Sequence, residues 1–299
     1  MAAPEYAFIA SEAARARARG AVAALNSLGY DARHYAPESP QALEARRAKA
    51  VVFCDLPPDV SSFIYDLLRA ENIDMARGAL AVTAPSEELA QAAAARLGRE
   101  VEVVPEPLEG ERRAPRAARV KPRSRPLEWL AQRAGLATGA WRTRLLWSGE
   151  EKDIEAIVGA YPALQRLGRE LPLELHCVAA PEALERLLER VQEDAPEALT
   201  LSVEAASPAA MARALEACDF VLLPPDERRR RAALHAGRLA IGGADPCEAI
   251  RWALAHPRET LEGLQRAQRE LDQTHAPAVV ARAWVRIFMK AATTKNKGQ

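Results

Sequence analysis

The chain alternates between short continuous apolar runs and longer stretches in which apolar residues recur every three or four positions. The first kind predicts buried strands, the second helices with one inward face. Tyr6–Ala10 reads as a strand, with Ser11 after it as an N-cap. Val22, Leu25 and Leu28 then mark a helix that stops at Gly29, a C-cap candidate. A strand near Tyr30–Tyr35, a short helix and the run Val51–Asp55 follow. Val60, Phe63, Ile64, Leu67 and Leu68 fall at helical spacing and predict the next helix. After it come the run ALAVTAPS, a helix from Ser86 to Leu97 closed by Gly98, and the strand EVEVVP.

Residues 109–126 interrupt the pattern. They hold three prolines and seven cations against two acids, with almost no large apolar residues, which predicts a solvated linker. Leu127–Trp141 reads as a shoulder helix, and the alternation then restarts. RLLWSG is a strand and turn, and Ile154, Ile157, Val158 and Tyr161 line a helix that Pro162 should interrupt. LPLELHCVAA is a strand, and Pro181 opens a helix with Leu184, Leu187, Leu188 and Val191 inward. ALTLSV is a strand, Ser207-Pro208 an N-cap and first helical position, and DFVLLPP a buried strand. Asp226–Ala236 reads as a short basic helix and RLAIGG as the last strand, before three closing helices. In the final one, Val279, Val280, Ala283, Trp284, Ile287 and Phe288 form a stripe suited to a partner surface, and the tail TTKNKGQ reads as disordered.

This order predicts an α/β protein of two Rossmann-like, doubly wound parallel-sheet domains. The boundaries read as 1–108 and 143–275, joined by a basic linker and shoulder at 109–142, with a crossing helix at 276–292 and a tail at 293–299. A ligand cleft is expected between the domains, at the carboxyl ends of the strands.

The chain has 299 residues, enough for two such cores, and 41 Lys plus Arg balance 41 Asp plus Glu. That neutrality argues against a constitutive nucleic-acid binder. Four scattered cysteines without a Cys-x-x-Cys fit reduced, packed thiols. The five histidines show no metal-ligand spacing, and no Walker loop, Gly-x-Ser-x-Gly or Gly-x-Gly-x-x-Gly is present. The first twenty residues lack the pattern of a signal peptide, and no window approaches the ~20 apolar residues of a membrane span. A cytoplasmic protein is therefore expected, with room for peripheral membrane contact and an oligomeric state left open.

Several segments together resemble one family. VTAPSEELAQAAAARLGREVEVVPEPLE, RLLWSGEEKDIEAI, ACDFVLLPP, LHAGRLAIGG and HAPAVVARAWVRIF occur in the order found in GT-B-type glycosyltransferases, across about residues 80–110 and 143–290. The resemblance implies transfer of a sugar from a nucleoside-diphosphate sugar to a glycan or other acceptor. It implies a retaining, metal-independent reaction with no cofactor beyond the donor, and a closing helix that returns to the first domain.

On that resemblance, Ser148 and Gly149 form the strand-end turn at the donor site and Lys152 reaches the phosphates; Lys152 read by itself is equally a solvated first-turn residue. The family places two glutamates before the Ala-Gly turn to hold the ribose, but here Ala232 falls where the second would stand. Asp226, Glu227 or His235 are the remaining ribose or sugar contacts. Arg230, with Arg229 and Arg231, is a phosphate candidate or else part of a solvated, acid-paired helix. Arg15, Arg17 and Arg19 follow the first strand, where family members approach the donor phosphates, yet no more than one or two of them can share a face. The missing glutamate keeps a second reading open: a shortened, non-catalytic relative that binds or assembles.

Overall fold

A computed structural model describes residues 4–56, 63–108, 112–118, 142–191, 199–222, 227–243 and 245–297. The chain divides into two compact units, one formed by Met1–Glu109 with Leu271–Gln299 and one by Gly110–Glu270. The shoulder helix and most of the linker lie outside the described residues.

The first unit contains a parallel sheet of β1 (Tyr6–Ala10), β2 (Ala32–Tyr35), β3 (Ala50–Cys54), β4 (Ile64–Asp66), β5 (Ala81–Ala84) and β6 (Glu102–Val103), in the order β2-β1-β3-β4-β5-β6. The two-residue period of the strands sends Phe8, Val52 and Ile64 to one face and Ile9, Val51, Phe53 and Tyr65 to the other. Helices α1 (Arg15–Ser27) and α10 (Pro277–Lys297) pack together on the first face. Small residues on α1, among them Ala14, Ala18, Ala21 and Ala24, leave room for Trp284, Ile287 and Phe288 of α10. Trp284 meets Phe8 edge-on at 5.1 Å, and Phe288 stacks on Tyr6 at 4.1 Å. The short helix α2 (Pro40–Ala45) precedes β3. The second face is covered by a 3₁₀ turn at Ala70–Ala76 and by α3 (Glu87–Leu97). Ser86 caps α3, accepting from the Leu89 N–H, and Gly98 ends it at φ 64°.

Two expectations change in this unit. The helix read from Val60 to Leu68 is instead strand β4, and residues 57–62 lie outside the described set. A central parallel strand is covered on both faces, so Phe63, Ile64, Tyr65 and Leu67 are all buried and mimic a helical stripe. Asp66 of β4 is fully buried against Arg17 of α1. Arg17 Nε and Nη2 donate to its two carboxylate oxygens at 2.6 and 2.8 Å, and Nη2 also reaches the Val104 carbonyl at 2.8 Å. The Thr83 hydroxyl donates to Asp66 Oδ1 at 2.7 Å. The tail is also corrected: α10 continues to Lys297 because Ala291 is still packed and each added residue closes another helical hydrogen bond.

The second unit holds β7 (Thr143–Gly149), β8 (Leu173–Ala179), β9 (Leu199–Ala205), β10 (Phe220–Leu222) and β11 (Leu239–Ile241), all parallel, in the order β11-β10-β7-β8-β9. Taken from its own first strand this is the 3-2-1-4-5 Rossmann order, whose reversal lies between β7 and β10. One face buries Leu145, Trp147, Leu175 and Cys177 against α4 (Ile154–Glu170), α5 (Pro181–Val191) and α8 (Pro246–Ala255). The other buries Leu146, Val178 and Val221 under α6 (Pro208–Ala217) and Ala233 of α7 (Glu227–His235). Helix α4 runs through Pro162 rather than stopping there. The proline is exposed, and burial of Ile157, Tyr161, Leu164 and Leu167 offsets the lost hydrogen bond. Helix α9 (Pro257–His275) closes the unit and carries the chain back into the first.

The linker expectation fails at 112–118, which lie along the second unit as a strap. Arg113 and Arg116 N–H groups donate to the carbonyls of His235 and Gly237, each at 3.1 Å. Gln268 Nε2 holds the Arg113 carbonyl at 2.9 Å, and Arg116 reaches the Cys218 carbonyl at 2.8 Å and buried Asp219 at 3.6 Å. Gly237 sits at φ 71°, and a Cβ there would stand 2.3 Å from the Ala114 carbonyl oxygen. Among the described residues of this run, Arg113 and Arg116 therefore have carbonyl and carboxylate partners on the surface of the unit.

Candidate functional site

Strand β7 ends at Ser148-Gly149, and a 3₁₀ turn at Glu151–Asp153 leads into α4. A reciprocal cap fixes this turn: the Glu150 N–H donates to Asp153 Oδ2 at 2.8 Å, while the Glu150 side chain accepts from the Asp153 N–H. Gly149 is required by close approach, since a Cβ would lie 2.3 Å from the buried Trp147 ring. Beyond this turn opens a cleft of about 340 Å³ at the carboxyl ends of β7 and β8. Its floor is small and apolar, Val178, Ala179, Ala180 and Ala183, and the first turn of α5 borders it. Its polar lining is Ser148, Glu150, Glu151, Glu182 and Arg229.

Arg229 is the best-anchored cation of the cleft. From α7 it donates to the Ser148 carbonyl at 3.1 Å, to Asp153 Oδ2 at 2.9 Å and to Glu150 Oε1 at 3.3 Å. Burial raises the Asp153 carboxyl, but the Glu150 N–H and the Arg229 guanidinium outweigh it and hold the group below its ordinary range. Lys152 is largely exposed and pairs with Glu150 at 2.9 Å, a contact that raises its ammonium pKa. Glu151 pairs with Arg186 across the rim.

The structure thus places Ser148 and Gly149 in the cleft lining, with Arg229 added, while Lys152 stands on the adjoining turn outside the lining, paired with Glu150. Arg230 and Glu227 pair with each other at 3.5 Å on the exposed side of α7, and neither lines the cleft. The His235 carbonyl binds the strap, and its half-buried residue is outside the lining as well. Asp226 lies outside the described residues. In the first unit, Arg17 is consumed by Asp66, Arg15 pairs with Glu12, and Arg19 contacts His34 at 3.3 Å. The sequence reading passed over Glu150, Glu151, Asp153 and Glu182. Their signal was topological: loops after the first two strands of a Rossmann unit face the ligand side. Among the described residues, no group of three or more His, Cys, Asp or Glu is placed to hold a metal ion, and no helix is long and apolar enough to cross a membrane.

Chemically, the cleft offers carboxylate acceptors for hydroxyl groups, the Arg229 guanidinium for an anion, and main-chain N–H groups at the start of α5. Apolar walls between them suit a ring.

The sequence matches no family profile and no curated protein. Solved structures do match. HepE from Anabaena in complex with UDP aligns with a TM-score of 0.62 at 11% identity, covering 95% of this chain and 99% of that one. WaaG, a glycosyltransferase involved in lipopolysaccharide biosynthesis, aligns with a TM-score of 0.59 at 14% identity over 93% and 98%. A glycosylation-associated protein (Gap123) complex from Streptococcus agalactiae aligns with a TM-score of 0.53 at 10% identity, over 81% of this chain and 56% of that one. HepE is also similar in its complex with UDP-glucose, at a TM-score of 0.56. Two parallel α/β sheets, a returning C-terminal helix and near end-to-end alignment with HepE and WaaG give this chain the GT-B glycosyltransferase fold.

Proposed function

We propose that this protein is a glycosyltransferase that takes its sugar from a nucleoside diphosphate and passes it to a hydroxyl acceptor such as a glycan. The observation that carries the reading is the cleft at the carboxyl ends of β7 and β8, in a unit of Rossmann order, within a fold shared with HepE bound to UDP and to UDP-glucose. Lys152, on the turn beside the cleft, and the main-chain N–H groups beginning α5 face the diphosphate; the carboxylates of Glu150, Glu151 and Glu182, which line the cleft, accept hydroxyl groups of the ribose or sugar. Gly149 keeps the strand end free of a side chain that would collide with Trp147. Catalysis is then mainly electrostatic: the cations stabilise charge as the diphosphate departs, and apolar walls exclude water. Retention of configuration, independence from metal and action in the cytoplasm, at most peripherally on a membrane, complete the reading on the strength of the family resemblance.

Thermal unfolding with a nucleotide panel tests it. A ligand at a hundred times its Kd stabilises by about 2.7 kcal/mol, which raises the Tm of a domain this size by roughly 5–10 °C. UDP, GDP, ADP or one of their sugars should give such a shift, and release of nucleotide from the matching sugar donor should follow. An unmoved melting curve with every nucleotide at millimolar concentration defeats the proposal.

A non-catalytic binding or assembly module is the second reading. Three carboxylates line the cleft, its Arg229 and the neighbouring Lys152 already have acid partners, and Ala232 stands where the family has a ribose glutamate. The similarity to a glycosylation-associated complex points the same way. Nucleotide binding without turnover of any sugar donor, in the presence of cell-envelope acceptors, selects this reading.

A further inference from the structure

We infer that Arg15, Arg19 and His34 form a phosphate site on the first unit, which His34 completes by taking up a proton. The inference does not depend on the donor-site reading, and none of the three residues lines the cleft of the second unit. Arg15 and Arg19 stand one helical turn apart on the same face of α1. His34 comes from β2, the strand that ends the sheet. Its register beside Phe8 of β1 places it on the face that α1 covers. Arg19 Nε donates to His34 Nε2 at 3.3 Å. A guanidinium donates only, so the imidazole keeps its lone pair at Nε2 and its proton at Nδ1.

The charge gathered here is one-sided. Exposed Glu12 pairs with Arg15, whereas Arg19, among the described residues, has the imidazole where a carboxylate would be expected. Of the charged and titratable groups on the elements packed against β2, Arg19 and Arg15 act on His34, and among the described residues no carboxylate does. Burial and these two guanidinium groups hold the imidazole below its ordinary pKa. An anion reverses that balance: it offsets both guanidinium charges, accepts from Arg19 in place of the ring, and favours a proton on Nε2. One proton then passes from solvent to His34 for each anion bound, and no bond within the ligand changes. A phosphate dianion suits the site better than a carboxylate, because its two charges and several oxygens can serve two guanidinium forks and an imidazolium together. A soluble phosphorylated sugar and a lipid headgroup share that chemistry.

Nitrogen-15 NMR of the histidine rings and calorimetry on the full chain test the site, with sulfate as a dianion that does not itself titrate near neutrality. His34→Gln identifies the His34 ring among the five histidines; His34→Asn serves if circular dichroism shows that variant misfolded. Near pH 7 the ring should be the neutral Nδ1–H tautomer in the free protein and the imidazolium with saturating sulfate. Calorimetry in buffers of different ionisation enthalpy should show uptake of about one proton per sulfate, absent in the His34 variant. Sulfate affinity should fall about tenfold per pH unit between the lowered pKa of the free protein and the raised one of the complex. Arg19→Met should weaken sulfate and inorganic phosphate binding about tenfold. Glucose 6-phosphate and phosphatidylcholine vesicles carrying phosphatidic acid separate the sources. Arg19-dependent binding of the sugar phosphate alone assigns a soluble ligand, and Arg19-dependent recruitment to the vesicles assigns a lipid headgroup. A ring that sulfate leaves neutral, an Nε2–H tautomer in the free protein, or wild-type affinity in folded Arg19→Met overturns the site. So does failure of inorganic phosphate, the sugar phosphate and the vesicles all to bind.

Discussion

Replacing Arg17 with methionine separates a structural arginine from a ligand-binding one. The side chain is 4% exposed and gives Asp66 two hydrogen bonds, at 2.6 and 2.8 Å, plus one to the Val104 carbonyl. Without it, an Asp66 carboxylate that is 1% exposed keeps the Thr83 hydroxyl and the Cys54 thiol and no counter-charge. Removing one member of a buried ion pair costs about 3–5 kcal/mol. With a urea m-value of about 2 kcal/mol/M, the unfolding midpoint of the first unit should fall by roughly 1.5–2.5 M. The double variant Arg17→Met, Asp66→Leu removes both charges and takes these partners from the Val104 carbonyl, the Thr83 hydroxyl and the Cys54 thiol. It should recover to within about 1–3 kcal/mol of wild type. The assay is urea unfolding followed by far-UV circular dichroism, with Trp284 fluorescence as a probe of the first unit. A midpoint that moves by less than about 0.5 M, alongside lost nucleotide affinity, refutes the structural account and returns Arg17 to the phosphate contacts.

Two further outcomes follow from other parts of the molecule. Gly237→Ala forces a Cβ to within 2.3 Å of the Ala114 carbonyl at a positive φ, so the 112–118 strap should detach at a cost of about 1–3 kcal/mol. Trypsin cleavage after Arg113 and Arg116 reports it, and an unchanged digestion pattern contradicts it. The four cysteines are buried and free, and desolvation raises the Cys177 thiol to about 12 and the Cys218 thiol to about 11, with Cys54 also well above its ordinary value. A thiolate-selective reagent should leave the native protein unmodified at pH 8 and label all four thiols in denaturant, whereas a fast-reacting native thiol would show that one of these sites opens.

Much of the fold was legible because it depends on local chemistry. Ser86 and Ser207 cap helices where a hydroxyl precedes an apolar repeat, and Gly98 closes α3 because only a left-handed residue ends it cheaply. The stripe Val280, Ala283, Trp284, Ile287 and Phe288 announced a helix face that needed a surface. The candidate site was legible only in part. Ser148, Gly149, Glu150, Lys152 and Asp153 stand together because they are neighbours in sequence, whereas Arg229 and Glu182 join them only through the sheet order.

The sequence by itself determined the alternation of strands and helices, and hence two parallel α/β sheets, because periodicity and capping act within a few residues. It also marked the strand end at Gly149. Tertiary structure alone decided where each charge is directed. Arg17 is locked beneath β4, Arg113 and Arg116 are absorbed by the strap, and Arg230 faces Glu227. Arg229 is aimed into the cleft with Glu150 across it. A charge advertises itself equally in each of these settings. Its role depends on the carboxylates and carbonyls that the fold brings up from far along the chain, and on how much water is left around it.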